Sequence, residues 1–201
     1  MSVERLDADI VVGYPPAAAV RGHTDARVAL MEFSDFECPF CGQYAVEVYP
    51  RLMEEFVDPG MVQYIFRHYP MEEIHANALR AAEAVECAAG EGKFWMMHDR
   101  LFEAAGALTR LDILAYATAM GLQPFSFETC LDSGAMRGRV SEDRREGMRL
   151  GVEGTPTFFL AERQQNGTLR LVTKVVGAQP YATFESLLRE ELSRMGHPGL
   201  R

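Results

Sequence analysis

The sequence lacks the features that would indicate a membrane-spanning or nucleic-acid-binding protein. No apolar run among the 201 residues approaches the ~18 residues that a membrane-spanning helix needs. The formal net charge of −9 argues against nucleic acid or an anionic membrane surface as the main partner. No internal repeat or low-complexity tract is visible. With 48% hydrophobic residues, the chain has enough apolar side chains for a globular core.

The amino-terminal segment also lacks the pattern of a secretory signal. Its first twenty residues carry acidic side chains where such a signal has a basic and then an apolar region. We therefore expect either a cytoplasmic protein or the mature form of an exported protein whose leader has been removed. The sequence alone leaves this choice open.

Cysteine is scarce, and the four cysteines are unevenly spaced. Cys38 and Cys41 form a C-x-x-C pair, whereas Cys87 and Cys130 are isolated and distant in sequence. Structural zinc usually needs four ligands with a second close pair, and no His-x-x-x-His motif lies near the first pair. The spacing therefore disfavours a metal site and leaves a redox centre or two inert buried thiols as interpretations.

The surroundings of the C-x-x-C pair favour redox chemistry. An apolar run from Val28 to Phe36 predicts a strand, and the residues after the cysteines have the spacing of a helix. Cys38 would then lie at a helix N-terminus, where unpaired N–H groups and the helix dipole stabilise a thiolate, the form that attacks disulfides. Cys41, one turn later, would resolve the mixed disulfide. This context predicts a dithiol–disulfide centre.

An acidic residue, Glu32, lies within the predicted strand, six residues before Cys38. The strand is apolar on both faces, as in a central strand covered by helices. Glu32 is either a strand-edge carboxylate that points to water or a partly buried acid beneath the cysteines. The apolar neighbours favour the second interpretation, in which burial raises the pKa and the acid exchanges a proton with Cys41.

The pattern on either side of the cysteines predicts an α/β fold. A short strand over 8–12 and a loop over 17–27 precede the central strand. The helix after the cysteines should kink at Pro50, and a strand over 61–69 completes a βαβ unit with parallel pairing. Residues 72–151 have helical spacing and predict an all-helical insertion.

The last segment predicts a β-hairpin and a helix. Asn166-Gly167 lies between two β-rich runs and indicates a type I′ turn, and a terminal helix follows. The result is a mixed central sheet flanked by helices. We expect residues 1–71 and 152–201 to form the two parts of one α/β domain, with 72–151 inserted between them.

Four strings in this order resemble the DsbA-like branch of the thioredoxin superfamily: FSDFECPFC, HANALRAAEAVECA, KFWMMHDRLF and GVEGTPTFF. The resemblance covers roughly residues 10–195 and implies a thioredoxin-like fold with a helical insertion. It also implies that Cys38 is the nucleophile, Cys41 the resolving thiol and Glu32 the buried acid.

The same resemblance implies a substrate-binding edge. The Thr155–Pro156 bond is expected to be cis rather than an ordinary trans bond that starts a strand. A cis proline there would turn the chain and expose backbone groups of Thr155 to a substrate strand. We expect Pro39 and Phe40, between the cysteines, to contact substrate as well.

The chain departs from the resemblance because no histidine lies between the cysteines. We therefore expect a Cys38 pKa below the free value of ~8.5 but above the lowest values of the motif. The disulfide should then be a less strong oxidant than that of the most oxidising relatives. No role is assigned to His68, His75 or His98, for which a structural or surface role is the simpler interpretation.

Cys87 and Cys130 have two interpretations, as buried thiols or as a disulfide that joins two helices of the insertion. Some members of the family with this insertion carry a comparable second bridge, which favours the disulfide. Such a bond would favour an oxidising compartment and hence a removed leader.

The function expected from these residues is oxidation of dithiols in reduced or misoxidised protein substrates, without a bound cofactor. By resemblance, a quinone-linked membrane protein would regenerate the disulfide. We expect a monomer that acts outside the cytoplasm. The alternatives are a thioredoxin-like reductase, a disulfide isomerase and, in another class, a peptide-binding chaperone whose cysteines are incidental.

Overall fold

A computed structural model describes residues 2–16 and 19–196, apart from the side chain of residue 8. The strands are β1 (Ser2–Val12), β2 (Val20–Arg21), β3 (Val28–Ser34), β4 (Val62–His68), β5 (Thr157–Arg163) and β6 (Leu169–Val176). They form one six-stranded sheet in the order β1-β6-β5-β3-β4-β2. The strands β3 and β4 are buried along their whole length, as the apolar sequence on both faces predicts for central strands.

The carboxyl-terminal hairpin of β5 and β6 anchors one side of this sheet. The two strands pair antiparallel from Thr157 opposite Val176 to Arg163 opposite Leu169, and β1 adds antiparallel to β6 at the edge. At the other edge, β2 pairs antiparallel with β4. The predicted α/β class, with one central sheet, is therefore confirmed.

The helix that follows the C-x-x-C pair is interrupted where the sequence predicts. Helix α1 (Pro39–Glu47) ends before Val48, and α2 (Tyr49–Leu52) then begins with Pro50 in its first turn. A π-helical turn, Met53–Val57, completes the segment. Proline breaks the helix here because it has no N–H to donate and its ring clashes with the preceding turn.

Five helices lie between β4 and β5 in the described chain and form the predicted insertion. They are α3 (Ala78–Ala89), α4 (Phe94–Glu103), α5 (Arg110–Ala119), α6 (Pro124–Ser133) and α7 (Arg137–Arg149). The terminal helix, α8 (Tyr181–Arg194), follows the hairpin and buries Phe184, Leu188 and Leu192. No helix in the described residues is both long enough and apolar enough to span a bilayer.

Contacts between residues divide the chain into two compact units. The sheet unit contains Met1–Glu32, Gln43–Phe66 and Pro156–Arg201, and the helical unit contains Phe33–Gly42 and Arg67–Thr155. The core of the sheet unit includes the stacked rings of Tyr44, Phe158 and Phe184, whose centroids lie 4.5–5.4 Å apart. The C-x-x-C segment itself groups with the helices.

Three local predictions differ from the structure. The first strand extends over Ser2–Val12 rather than 8–12, because its pairing with β6 resumes beyond a register shift between Arg5 and Ile10. The predicted loop over 17–27, of which 17 and 18 lie outside the described residues, contains the short strand β2, which is stabilised by pairing with β4. Neither partner strand is local in sequence.

The prediction of a type I′ turn between β5 and β6 is wrong. Gly167 has a φ of +82°, but Asn166 is not among the described residues with a positive φ, which a type I′ turn requires at both central positions. The Gly167 N–H instead donates to the Gln164 carbonyl at 3.0 Å, and the Asn166 side chain accepts from Thr168 N. A four-residue turn that ends in a left-handed glycine connects the strands.

Candidate active site

Cys38 immediately precedes helix α1 and caps its first turn. The Cys38 carbonyl accepts the first helical hydrogen bond from Gly42 N at 3.0 Å, while Cys38 N donates to the Asp35 carbonyl at 3.1 Å. The sulfur therefore lies beside the N–H groups of a helix N-terminus that have no partner within the helix. This is the position that the strand–C-x-x-C–helix pattern predicts.

The two cysteines are present as free thiols with different accessibility. Cys38 is 6% exposed, whereas Cys41 is completely buried. The Cys38 sulfur lies 3.3 Å from the Thr155 carbonyl oxygen, to which it donates a hydrogen bond. Only Cys38 offers any surface to a substrate sulfur.

The Cys38 thiol is unusually acidic. A hydrogen bond from the Cys41 side chain has the largest effect. Together with hydrogen bonds from the Thr155 side chain and from the backbone N–H groups of Phe40 and Cys41, it lowers the Cys38 pKa to about 6. Burial opposes this shift because it penalises the charged sulfur. The value lies between that of a free thiol and the lowest of the motif, as expected without a histidine between the cysteines.

The residues expected to bind substrate differ in exposure. Pro39 is exposed and Phe40 is 62% exposed, although a phenylalanine is usually buried. Thr155 is partly exposed, and its Oγ1 lies 3.7 Å from Met71 Sδ. Pro156 is buried, and its carbonyl accepts from Gly177 N at 2.8 Å at the start of the hairpin.

Glu32 is buried in β3 with 2% exposure, so the interpretation as a strand-edge carboxylate in water does not hold. The Tyr64 hydroxyl on β4 donates a short hydrogen bond to Glu32 Oε2. Burial raises the pKa of both Tyr64 and Tyr44, and the negative charge of Glu32 raises both further. Tyr64 and Tyr44, which both interact with Glu32, therefore keep their hydroxyl protons.

Sequence reasoning missed two residues next to the C-x-x-C pair, Asp35 and His75. His75 Nδ1 lies 2.7 Å from Asp35 Oδ2, and Asp35 is buried with 2% exposure. The two residues are forty positions apart, and no spacing rule joins them. His75 is the first residue of the string HANALRAAEAVECA, which was the one available signal.

A second pair of hydrogen bonds connects the turn between β4 and α3 with the segment before Cys38. Asn77 donates to Glu37 through its backbone N at 2.6 Å and through its side-chain amide at 3.1 Å. The turn between β4 and α3 is thus bound to the residues immediately before Cys38.

Comparison with known proteins agrees with this geometry. The family model described as thioredoxin matches residues 16–175. The chain belongs to the thioredoxin family. The match over residues 16–175 covers 160 of the 201 residues of the chain.

Solved structures with the same fold include DsbA proteins of several bacteria. Wolbachia pipientis alpha-DsbA1 superposes with a TM-score of 0.75 at 18% identity and covers 90% of this chain and 94% of that one. Bacillus subtilis BdbD has the same TM-score at 23% identity, and the match covers 92% of this chain and 100% of BdbD. Pseudomonas aeruginosa DsbA2 is 26% identical, with a TM-score of 0.66 over 87% and 94%. This thioredoxin-family chain therefore has the fold of the DsbA proteins.

Curated relatives are larger proteins. The Na(+)/H(+) antiporter NhaA 3 of Salinispora tropica is 39% identical over 181 residues, which is 90% of this chain but 27% of that protein. The antiporter NhaA 1 of Salinispora arenicola is 37% identical over 157 residues, or 78% and 24%. The chain thus spans about a quarter of the length of these relatives.

In this thioredoxin-family chain the other two cysteines are bonded to each other. Cys87 in α3 and Cys130 in α6 form a disulfide across 43 residues. This is the pairing that the resemblance implied. It joins two helices of the insertion that are separated by α4 and α5 in the chain.

A buried charge network lies elsewhere in the helical unit. His68, Glu86 and Asp143 bring three potential metal-ligand atoms within 4.8 Å of one another. Asp143 Oδ1, however, lies 2.7 Å from both Arg67 Nε and Arg139 Nη2, and His68 Nε2 lies 3.1 Å from Glu86. The two guanidinium groups supply the positive charge here, so the cluster is explained as ion pairing.

Proposed function

We propose that the protein oxidises pairs of thiols in protein substrates. A substrate thiolate attacks the Cys38 sulfur of the Cys38–Cys41 disulfide, and Cys41 leaves and takes up a proton. The second substrate thiolate then attacks the substrate sulfur of the mixed disulfide and releases Cys38 as a thiolate. The observation that carries the proposal is the lowered pKa of Cys38, about 6, at the accessible end of the pair.

The same property supports the proposed direction of transfer. A protein that stabilises the Cys38 thiolate stabilises its own reduced form, and its disulfide is then a stronger oxidant. The pKa of about 6 lies below the ~7 of thioredoxin and above the ~3.5 of DsbA. A moderately oxidising protein is expected, which favours an oxidase over a reductase.

Glu32 is proposed to exchange the proton of Cys41 during transfer. Its support is burial in the strand that leads into the C-x-x-C segment and the hydrogen bond from Tyr64. A buried acid is suited to this task because desolvation makes proton uptake by a carboxylate easier.

The substrate is proposed to bind as an extended strand beside Cys38, along Thr155 and a cis Pro156. The Thr155 carbonyl, which already accepts from the Cys38 thiol, would be released for main-chain pairing when the sulfur is bonded. Exposed Pro39 and Phe40 would contact apolar side chains of the substrate.

We place this function outside the cytoplasm. The Cys87–Cys130 disulfide supports the proposal, since structural disulfides persist in oxidising compartments. A membrane protein linked to quinones would accept the electrons and restore the Cys38–Cys41 disulfide. The protein would act as a monomer, and no cofactor enters the exchange.

The deciding experiment is equilibration of Cys38–Cys41 with a glutathione redox buffer, followed by thiol trapping and mass analysis. A potential above about −200 mV supports the oxidase. A potential near about −270 mV would instead make the protein a thioredoxin-like reductant and would overturn the proposed direction.

A chaperone function is separated from catalysis by Cys38→Ser and Cys41→Ser variants in oxidative refolding of a reduced protein. The oxidase loses all turnover in both variants. A protein that only binds unfolded chains would keep its full effect on refolding yield in both.

A second candidate function is suggested by the curated relatives, which are antiporters. In it, the protein exchanges disulfides with a Na(+)/H(+) antiporter. Cys41→Ser keeps the attacking Cys38 but cannot resolve a mixed disulfide, so it traps partners covalently. An antiporter recovered through Cys38 from the native cell would support this candidate, and a broad set of exported proteins without an antiporter would contradict it.

A further inference from the structure

The turn between β4 and α3 places a histidine close to the cysteine pair. His75 Nδ1 lies 2.7 Å from Asp35 Oδ2, and the Asp35 carbonyl accepts the hydrogen bond from Cys38 N at 3.1 Å. Asp35 therefore contacts His75 through its side chain and Cys38 through its backbone.

Asp35 holds the imidazole in a defined orientation. Its carboxylate accepts from Glu37 N at 2.8 Å and from Met71 N at 2.9 Å, in addition to His75. An ionised carboxylate can only accept, so His75 Nδ1 carries a hydrogen in both charge states of the ring. Nε2 is then the nitrogen that takes up or releases the second proton.

Acidic groups raise the pKa of His75. Burial lowers the pKa of His75, but the hydrogen bond and negative charge of Asp35, with smaller contributions from Cys38 and Glu37, raise it above its ordinary value. The Glu37 carboxylate is bound by Asn77 and stays in place. The Cys38 thiolate and a protonated His75 ring therefore favour each other.

We propose that His75 is a positioning residue for the redox centre, which sets an imidazolium, held by Asp35, against the Cys38 thiolate. Reduction of the Cys38–Cys41 disulfide takes two electrons and two protons. One proton binds the Cys41 sulfur, and the other is held by His75 Nε2 while Cys38 carries the negative charge. With glutathione, two thiols supply both electrons and both protons and leave as one oxidised glutathione.

This coupling is reciprocal, because the charge on Cys38 that raises the His75 pKa is matched by an imidazolium that lowers the Cys38 pKa. Direct hydrogen bonds to the sulfur remain the larger effect. In the oxidised protein Cys38 bears no charge, so His75 loses its proton at a lower pH. Near neutral pH, reduction therefore takes up the proton that binds Cys41 and, in addition, a fraction of a proton on His75.

The test uses His75→Asn, whose amide can still donate to Asp35 in the place of Nδ1 but carries no charge. His75→Lys keeps a permanent positive charge. His23→Asn is the matched control, because His23 is an exposed histidine outside the site. The readouts are the Cys38 pKa, from thiolate absorbance and alkylation rate, and the equilibrium constant with glutathione between pH 5.5 and 9.

We expect His75→Asn to raise the Cys38 pKa by roughly 0.5–1 unit and to make the protein roughly threefold to tenfold less oxidising near pH 7. The difference from the parent should decrease as the pH rises and His75 loses its proton in the reduced protein. His75→Lys should keep the Cys38 pKa low and retain its effect at higher pH, and His23→Asn should match the parent.

An unchanged Cys38 pKa in His75→Asn would overturn the proposal, and so would equal shifts in the Asn and Lys variants at every pH, which would indicate a structural role. The inference rests on thiol–disulfide exchange at Cys38 and not on its direction. A protein with a reducing potential whose Cys38 pKa still depends on His75 would disprove the proposed oxidase and leave this inference intact.

Discussion

Cys38 is almost completely buried, yet its thiol ionises more readily than that of a free cysteine. Hydrogen bonds from Cys41, Thr155 and the first turn of α1 outweigh the cost of burying a charge. Cys41 has no exposed surface at all. In the proposed exchange, this asymmetry makes Cys38 the sulfur that a substrate reaches first and Cys41 the one that resolves the mixed disulfide.

At the residue scale, we expect Glu32→Gln to slow disulfide exchange by roughly 100-fold or more, since a positioned acid or base usually contributes about 10²- to 10⁴-fold. The amide can still accept from Tyr64 but cannot exchange a proton with Cys41. Stopped-flow fluorescence of disulfide transfer to a reduced peptide, measured from pH 5 to 8, checks this result.

The control for this variant is Glu83→Gln, which also replaces a buried carboxylate but lies on α3. It should exchange disulfides at the parent rate. If both variants react as the parent does, Glu32 has no part in proton transfer and contributes only to packing.

At the scale of elements, the helical insertion depends on a covalent link as well as on packing. The Cys87–Cys130 bond joins α3 to α6, which lie 43 residues apart at the cysteines. In the chain-entropy model, a loop of this size reduces the freedom of the unfolded chain and stabilises the fold by about 4 kcal/mol.

The double variant Cys87→Ala/Cys130→Ala should therefore lose about 4 kcal/mol of unfolding free energy in urea, measured on the Cys38–Cys41 oxidised protein. Its glutathione equilibrium should match that of the parent, because neither residue contacts the reacting sulfurs. A double variant as stable as the parent would show that the bond contributes nothing to the fold.

A second feature at this scale is the turn between β4 and α3. It carries Met71, His75 and Asn77, all of which contact the segment Asp35–Glu37 immediately before the C-x-x-C pair or the Thr155 side chain. These contacts explain why residues 33–42 group with the helices rather than with the sheet. The segment that leads into the insertion thus contributes to the candidate site.

At the scale of the whole molecule, the acidity of Cys38 makes stability depend on pH in the reduced state. The folded-state pKa of about 6 is below the ~8.5 of an unfolded cysteine, so the thiolate stabilises the fold fully above pH ~8.5. This contribution, about 2 kcal/mol after allowance for solvent screening, is lost as the pH falls through about 6.

Urea unfolding of the reduced protein between pH 9 and 5 checks this prediction, with Cys38→Ser as the reference that has no thiolate. The reduced parent should be more stable than the variant at pH 9 and should lose that advantage by pH 5. An advantage that stays constant over this range would mean that Cys38 is not ionised in the folded protein.

The sequence by itself determined the fold class and the reactive pair, since both depend on local patterns. The position of Cys38 at the start of α1 depends only on the next four residues, since Gly42 N donates to its carbonyl. The break at Pro50 depends only on the proline ring and its missing N–H. The burial of Glu32 follows from its strand, whose apolar residues lie on both faces. The helical insertion follows from apolar spacing in the same way.

Only the tertiary structure decided which distant residues meet. His75 reaches Asp35 across forty residues and Cys87 reaches Cys130 across 43, and no local rule relates such positions. The length of β1 and the existence of β2 depend on partner strands that are equally remote. Even the turn at Gly167 departs from its sequence signal, because the geometry of the paired strands selects the turn.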